Sequence, residues 1–179
     1  MTDKEFQKNL ILIQNKDKAG LKNIYTEYIT LIYHTVYNML QNKEDAEDVT
    51  SEFFIKLANV STSYVPGNGH KTWLITIARN LTIDFIRKNK KEILSDEIRN
   101  EVDLTCLPTS STEDAYLTKQ NFKDLIHKLS PKEQEVITLK VLGEFTFKEI
   151  STILNEPMGT VTWRYQNAIA KLRRFKNEE

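Results

Sequence analysis

A chain of 179 residues with 25 basic and 25 acidic side chains has no formal net charge, so its overall balance does not draw it to nucleic acid or to an anionic membrane. A single cysteine, Cys106, excludes a disulfide framework and a CxxC metal pair, and no apolar run approaches the roughly 20 residues that cross a bilayer. Five glycines and four prolines among abundant Lys, Glu, Leu and Ile point to an all-α protein, and the short apolar run within MTDKEFQKNLILIQNKDK is too brief for a signal peptide, so a cytoplasmic chain is expected.

Phe6, Leu10 and Ile13 fall at helical spacing, and Leu21, Ile24, Tyr25, Tyr28, Ile29 and Ile32 continue the pattern. Two helices on either side of a break over 17–20 are expected. A third helix is predicted over 44–58, with Ala46, Val49, Phe53 and Leu57 on one stripe and Glu44, Asp48 and Glu52 on another. The stretch SYVPGNGH, 63–70, reads as a loop. Helical periodicity returns over 72–88, where Trp73, Ile77, Leu81 and Phe85 recur every four residues as an expected core stripe.

The periodicity then fails. From Lys90 to Asp114 the residues turn polar and acidic, and LPTSST within them is turn-like. This segment reads as a flexible acidic linker between two small helical domains. Domain bounds of 1–91 and 114–179, with the linker over 92–113, follow.

Helix punctuation in the second domain is clear. Ser130, Pro131 and Glu133 supply an N-cap, a proline at the first helical position and a capping-box glutamate, and that helix is expected to stop near Gly143. Thr146 and Glu149 form a second capping box, opening a helix to Leu154, and Asn155 can end it in the left-handed conformation. The final helix is predicted from Glu156-Pro157 to about Phe175.

A short helix, a tight turn and a longer basic helix make a helix-turn-helix pattern. Val161, Tyr165, Ala168 and Leu172 form the buried stripe of the last helix, and Thr160, Trp163, Arg164, Asn167 and Lys171 lie on its other side. Gly159 is expected to allow close approach to the preceding helix. Arg164 suits bidentate donation to guanine and Asn167 suits adenine, while Lys171, Arg173, Arg174 and Lys176 suit phosphates. The plainer reading is an amphipathic terminal helix with solvated charges; against it, residues 159–177 hold five basic side chains and no acidic one.

A second candidate surface is HKTWLITIARNLTIDFIRKNKK, where Asp84 is the only acid among His70, Lys71, Arg79, Arg87, Lys88, Lys90 and Lys91. Asn80, Asp84 and Arg87 share a helix face. Tyr64 and His70, in the loop before it, are expected to be available to stack on an unpaired base. A core helix whose Trp73 only packs and whose lysines only solubilise is the even-handed alternative.

Together, DAEDVTSEFFIKL (45–57), WLITIARNLTIDFIRK (73–88) and LSPKEQEVITLKVLGEFTFKEISTILNEPMGTVTWR (129–164) resemble a sigma-70 family factor of the compact extracytoplasmic-function (ECF) subfamily. The resemblance implies a first domain (region 2) that binds the β′ clamp helices of core RNA polymerase and melts the −10 promoter element. It implies a second (region 4) that binds the β flap and reads the −35 element. It assigns polymerase contact to Asp45, Glu47, Asp48 and Glu52. It assigns the −10 DNA to Tyr64, His70, Lys71, Trp73, Arg79, Asn80, Asp84, Arg87 and Lys88, with a flipped base captured over 64–71. The −35 DNA falls to Thr160, Thr162, Trp163, Arg164, Asn167, Lys171 and Arg174.

The partners implied are core RNA polymerase, promoter DNA and an anti-sigma factor, which in this family is often membrane-bound. No membrane insertion of the chain itself, no cofactor and no metal are implied. The chain departs from the family pattern at Ser51, where glutamine is usual, and in GTVTWRYQNAI, where GTVKSRLHRAR is common. Asn167 and Ile169 thus replace two arginines, so fewer phosphate contacts and a non-standard −35 sequence are expected. Trp163 faces either DNA or a protein regulator.

Enzymatic activity is not expected. His34, His70 and His127 lack metal spacing, no GxxxxGK[ST] or GxGxxG occurs, and Cys106 has no evident base beside it. A polymerase-independent helix-turn-helix repressor leaves the DAED and WLITIARN helices unexplained. An accessory sigma-like subunit that needs a partner to recognise promoters is the remaining alternative.

Overall fold

The computed structural model describes residues 1–67, 69–93, 126 and 128–177. Every regular element among them is a helix, and they fall into two compact units, Met1–Val102 and Asp103–Glu179. The linker expected over 92–113 lies, beyond Ile93, outside the described residues, as do Cys106 and His127.

The first unit consists of α1 (Asp3–Gln14), α2 (Lys18–Leu40), α3 (Lys43–Val60), a 3₁₀ turn (Ser61–Ser63) and α4 (His70–Ile93). Local chemistry sets each start. Thr2 and Glu5 form a capping box on α1, the Asp17 carboxylate accepts from the Ala19 amide, and the Asn42 side chain accepts from Asp45 N. Gln41 closes α2 in the left-handed conformation at φ 54°.

Alternation of apolar and polar rows then decides what is buried. Phe6, Ile24, Ile32, Val36, Ala46, Val49, Phe53 and Leu57 are essentially solvent-free. They fill the space where α2 packs against α1, α3 and α4. Removing a ring as buried as Phe53 costs about 3–5 kcal/mol.

Two details of the first unit differ from expectation. The break between α1 and α2 falls over 15–17, and Gly20 lies inside α2, buried at the helix crossing. A Cβ there would stand 2.4 Å from the Asn9 carbonyl oxygen and 2.8 Å from Leu12 Cβ. In α4 the buried row is Leu74, Ile75, Ala78, Leu81 and Thr82, while Trp73, Ile77 and Phe85 are half-buried at its edge. The core stripe is therefore displaced about one residue from the Trp73 row.

The second unit contains α5 (Pro131–Val141), α6 (Phe147–Leu154) and α7 (Met158–Asn177). Glu133 Oε2 accepts from both the amide and the hydroxyl of Ser130, and Glu149 Oε2 does the same at Thr146. Asn155 ends α6 at φ 52°, ψ 43°, as its sequence context implies. Val136, Ile137, Leu139, Ile150, Val161 and Ala168 form the core, and Tyr165, Ile169 and Leu172 pack at its margin.

Candidate nucleic-acid interface

On α4 the exposed side chains among those described are Thr76, Asn80, Asp84, Arg87 and Lys88. The first four are spaced i, i+4, i+8 and i+11, so they line one face opposite the buried row. Thr76 was not singled out from sequence, where a lone threonine amid apolar residues gives no signal. Asp84 and Arg87 form an exposed pair at 3.8 Å, loose enough for either to turn to another partner. Arg79 is half-buried with Nη1 4.0 Å from Met39 Sδ, and Lys71 and Trp73 are half-buried too.

Tyr64 and His70 are not available as expected. Both are buried in the first unit. The Tyr64 hydroxyl donates to Asp3 Oδ1, and His70 Nδ1 lies 3.2 Å from the same oxygen. His70 Nε2 is 2.7 Å from the Tyr28 hydroxyl. The Phe6 ring stacks on His70 at 4.9 Å and meets Tyr64 edge-on at 5.2 Å. Burial pushes the His70 pKa below its ordinary value, and hydrogen bonding to Asp3 offsets this only partly, so the ring adds no positive charge to the surface. The tip of the loop, Val65, Pro66, Gly67 and Gly69, is exposed.

On α3, Glu44, Glu47, Asp48, Ser51 and Glu52 are exposed and Asp45 is half-buried. Desolvation, with Asp48 and Glu44 nearby, raises the Asp45 pKa. Beside this acidic row lies a shallow hollow of about 130 Å³ lined by Tyr25, Ile29, Tyr33, Glu47, Thr50, Ser51 and Phe54. The Thr50 hydroxyl is buried there with no hydrogen-bond partner among the described residues. Tyr25 is 48% exposed and Ile55, on α3, 67%. These apolar members were missed from sequence because Tyr25 and Ile29 read as core periodicity.

In the second unit α6, the turn over 155–157 and α7 form the expected helix-turn-helix. The turn is fixed by Ser151, whose hydroxyl donates to the Glu156 carbonyl at 2.6 Å. Thr160, Trp163, Gln166, Arg173 and Arg174 are exposed on α7, and Thr162 and Asn167 are half-buried. Trp163 is 62% exposed. Gln166, absent from the sequence-based set, lies one turn beyond Trp163 on the same side.

Three expectations for α7 need correcting. The Arg164 guanidinium is largely buried in an ion pair with Glu156 at 2.5 Å, so it is not a free donor for guanine. Lys171 Nζ bonds Glu133 at 2.8 and 3.0 Å, tying α7 to the start of α5 rather than standing clear for phosphate. Gly159 has nothing within 4 Å of a would-be Cβ, so it does not serve close packing with α6.

Among the described residues no cluster of His, Cys, Asp or Glu could hold a metal ion, and no helix is long and apolar enough to cross a membrane.

The family profile described as Sigma-70 region 2 matches residues 24–92, and that described as Sigma-70, region 4 matches 119–172. The chain is 33% identical over 178 residues to the ECF RNA polymerase sigma factor SigW of Bacillus subtilis, covering 94% of this chain and 95% of that protein. It is 30% identical over 138 residues to SigM of the same organism, covering 75% and 82%. It is 27% identical over 155 residues to BldN of Streptomyces coelicolor, covering 85% of this chain and 58% of BldN.

Among solved structures the fold is similar to the sigma factor RpoE of Bartonella quintana, crystallised with the anti-sigma factor NepR, at TM-score 0.65 and 22% identity over 87% of this chain and 98% of that one. It is also similar to CnrH in complex with the cytosolic domain of CnrY, at TM-score 0.62 and 16% identity over 98% of this chain and 99% of that one. With both regions matched in order and a relative aligned along nearly its whole length, the chain belongs to the ECF group of the sigma-70 family and is a sigma factor directing transcription initiation.

Proposed function

We propose that the two units divide promoter recognition between them, with α4 reading the −10 element and α7 the −35 element. The observation that carries this reading is the exposed polar row of Thr76, Asn80, Asp84 and Arg87 along one face of α4, the helix that follows the exposed Val65, Pro66, Gly67 and Gly69 of the loop. Amide, carboxylate and guanidinium groups in such a row can bond base edges. Lys88, at the end of the row, suits the neighbouring phosphate. The loop tip, rather than the buried Tyr64 and His70, is the part that meets the flipped base.

On α7, Thr160, Trp163, Gln166 and Asn167 face the major groove, with Arg173 and Arg174 on phosphate. Arg164 and Lys171 hold the helix in place. The acidic row of α3 and the apolar hollow between α2 and α3 form the docking face for the polymerase β′ clamp helices, and the second unit meets the β flap. The Asp45 pKa, raised by desolvation and then by the nearby Asp48 and Glu44, is consistent with this, since a basic partner would favour the charged form that the isolated fold disfavours.

The chain has no catalytic chemistry of its own and works in the cytoplasm, where the polymerase forms the phosphodiester bonds. Exposed Trp163 also suits an anti-sigma factor, the kind of partner with which RpoE of Bartonella quintana was crystallised. A repressor acting without polymerase leaves the α3 and α4 surfaces without a role.

Asn80→Ala combined with Asp84→Ala tests the proposal. Open-complex formation, read by permanganate footprinting, should be lost while affinity for core polymerase stays within about twofold. Equal loss of both would assign the row to folding.

A further inference from the structure

The region 2 match begins at residue 24, so α1 lies outside it. Yet α1 grips both feet of the loop over 64–70. At one end Gln14 Nε2 donates to the Ser61 carbonyl at 3.2 Å, and the Tyr64 hydroxyl donates to Asp3. At the other, the same Asp3 oxygen meets His70 Nδ1 at 3.2 Å, in the first turn of α4. One carboxylate thereby fixes the residue that enters the loop and the residue that leaves it. Phe6 fills the space between them, against Tyr64, His70 and Trp73.

Between these feet the described residues of the tip have no comparable side-chain tie. Val65 is 60% exposed, and Gly67 and Gly69 take φ of +90° and +75°. Such a tip takes its position from its anchors. The Asp3 carboxylate is itself held in place, because Gln7 donates to its second oxygen at 2.9 Å and the Tyr64 hydrogen bond keeps its pKa below the ordinary value.

We infer that α1 is a brace for base capture and that Asp3 is a positioning residue, acting on promoter DNA through Tyr64 and His70. The inference rests on the reading that the loop tip holds a flipped −10 base. Without the shared carboxylate the two feet separate, the tip loses its fixed aim, and the captured base contributes little binding. Polymerase docking on α2 and α3 is untouched.

The experiment uses holoenzyme reconstituted from the full chain and core RNA polymerase. The probes are single-stranded oligonucleotides carrying the non-template strand of a promoter mapped by run-off transcription, intact or with one abasic site at each −10 position in turn. Wild type should lose affinity roughly 5- to 150-fold at the captured position, the range for one stacked base. Asp3→Ala should bind the intact strand as weakly as the abasic one, with core affinity unchanged. Asp3→Asn, which keeps the acceptor oxygen, should restore the wild-type penalty.

Tyr64→Phe removes only the hydroxyl and should shift the penalty in the same direction as Asp3→Ala, which keeps the inference testable if the alanine variant does not fold. An unchanged abasic penalty in Asp3→Ala or in Tyr64→Phe overturns the inference, as does an equal fall in core affinity. A wild type indifferent to every abasic site instead overturns the base-capture reading beneath it.

Discussion

His70 ties the stability of the first unit to pH. It packs against Phe6 and faces Asp3, Tyr28, Lys71 and the N-terminal amine, and burial holds its pKa below the ordinary 6.5. The unfolded chain therefore takes up a proton that the folded chain refuses once the pH drops below about 6.5. Stability from this group is fully present above that value and declines as the pH falls toward the lowered folded-state pKa. Thermal melts of the first unit between pH 7.5 and 5.5 should show the decline, and His70→Gln should flatten it. A melt equally flat in wild type would contradict the placement of His70.

Asp45 is the reverse case, its pKa raised by desolvation and by Asp48 and Glu44. Asp45→Asn should leave the melting temperature unchanged or higher while weakening core polymerase binding, and parallel losses would make Asp45 a folding residue. Arg164 is expected to act through stability too. Arg164→Ala leaves Glu156 half-buried without its partner and should cost the second unit about 1–3 kcal/mol, read by denaturant unfolding. No loss of stability would return Arg164 to the set of base readers.

Among the elements, the α1–α2 crossing and the start of α7 make opposite demands on glycine. Gly20→Ala drives a methyl into the Asn9 carbonyl and should destabilise the first unit by about 1–3 kcal/mol in urea unfolding. Gly159→Ala meets open space and should leave the fold as stable or up to about 1 kcal/mol more so. Its effect, if any, should appear in −35 footprints.

How much could be read from the sequence depends on how local each contact is. The α3 stripe of Ala46, Val49, Phe53 and Leu57 was legible because its apolar and acidic rows keep strict helical phase. The caps at Ser130, Thr146 and Asn155 were legible because each is decided within a few residues. The α4 stripe was misplaced because α4 packs against both α2 and α3, which widens its buried face beyond a single row. Tyr64 and His70 were misread because the carboxylate that hydrogen-bonds both, on Asp3, is 61 and 67 residues away in sequence, and Phe6, which packs on both rings, lies on the same distant helix. Lys171 was hidden because its acid, Glu133, is 38 residues away in sequence. The Arg164–Glu156 pair spans only 8 residues but crosses the turn before α7, which helix periodicity does not report.

For the molecule as a whole, equal numbers of acids and bases mean that phosphate attraction alone gives little hold on DNA. An acidic row with an apolar hollow on α3 and α2, a polar row on α4 and a basic stretch on α7 make sense together when polymerase supplies the platform. The free chain should then bind promoter DNA far more weakly than its holoenzyme does, and comparable affinities by gel shift would count against that division of labour. The measurement that tests the central claim most directly is run-off transcription with the purified chain and core polymerase on genomic fragments. Discrete start sites, lost with Asn80→Ala and Asp84→Ala although the complex still forms, are the predicted result. A chain that forms no complex with core polymerase, or a complex that starts no transcript, would contradict it.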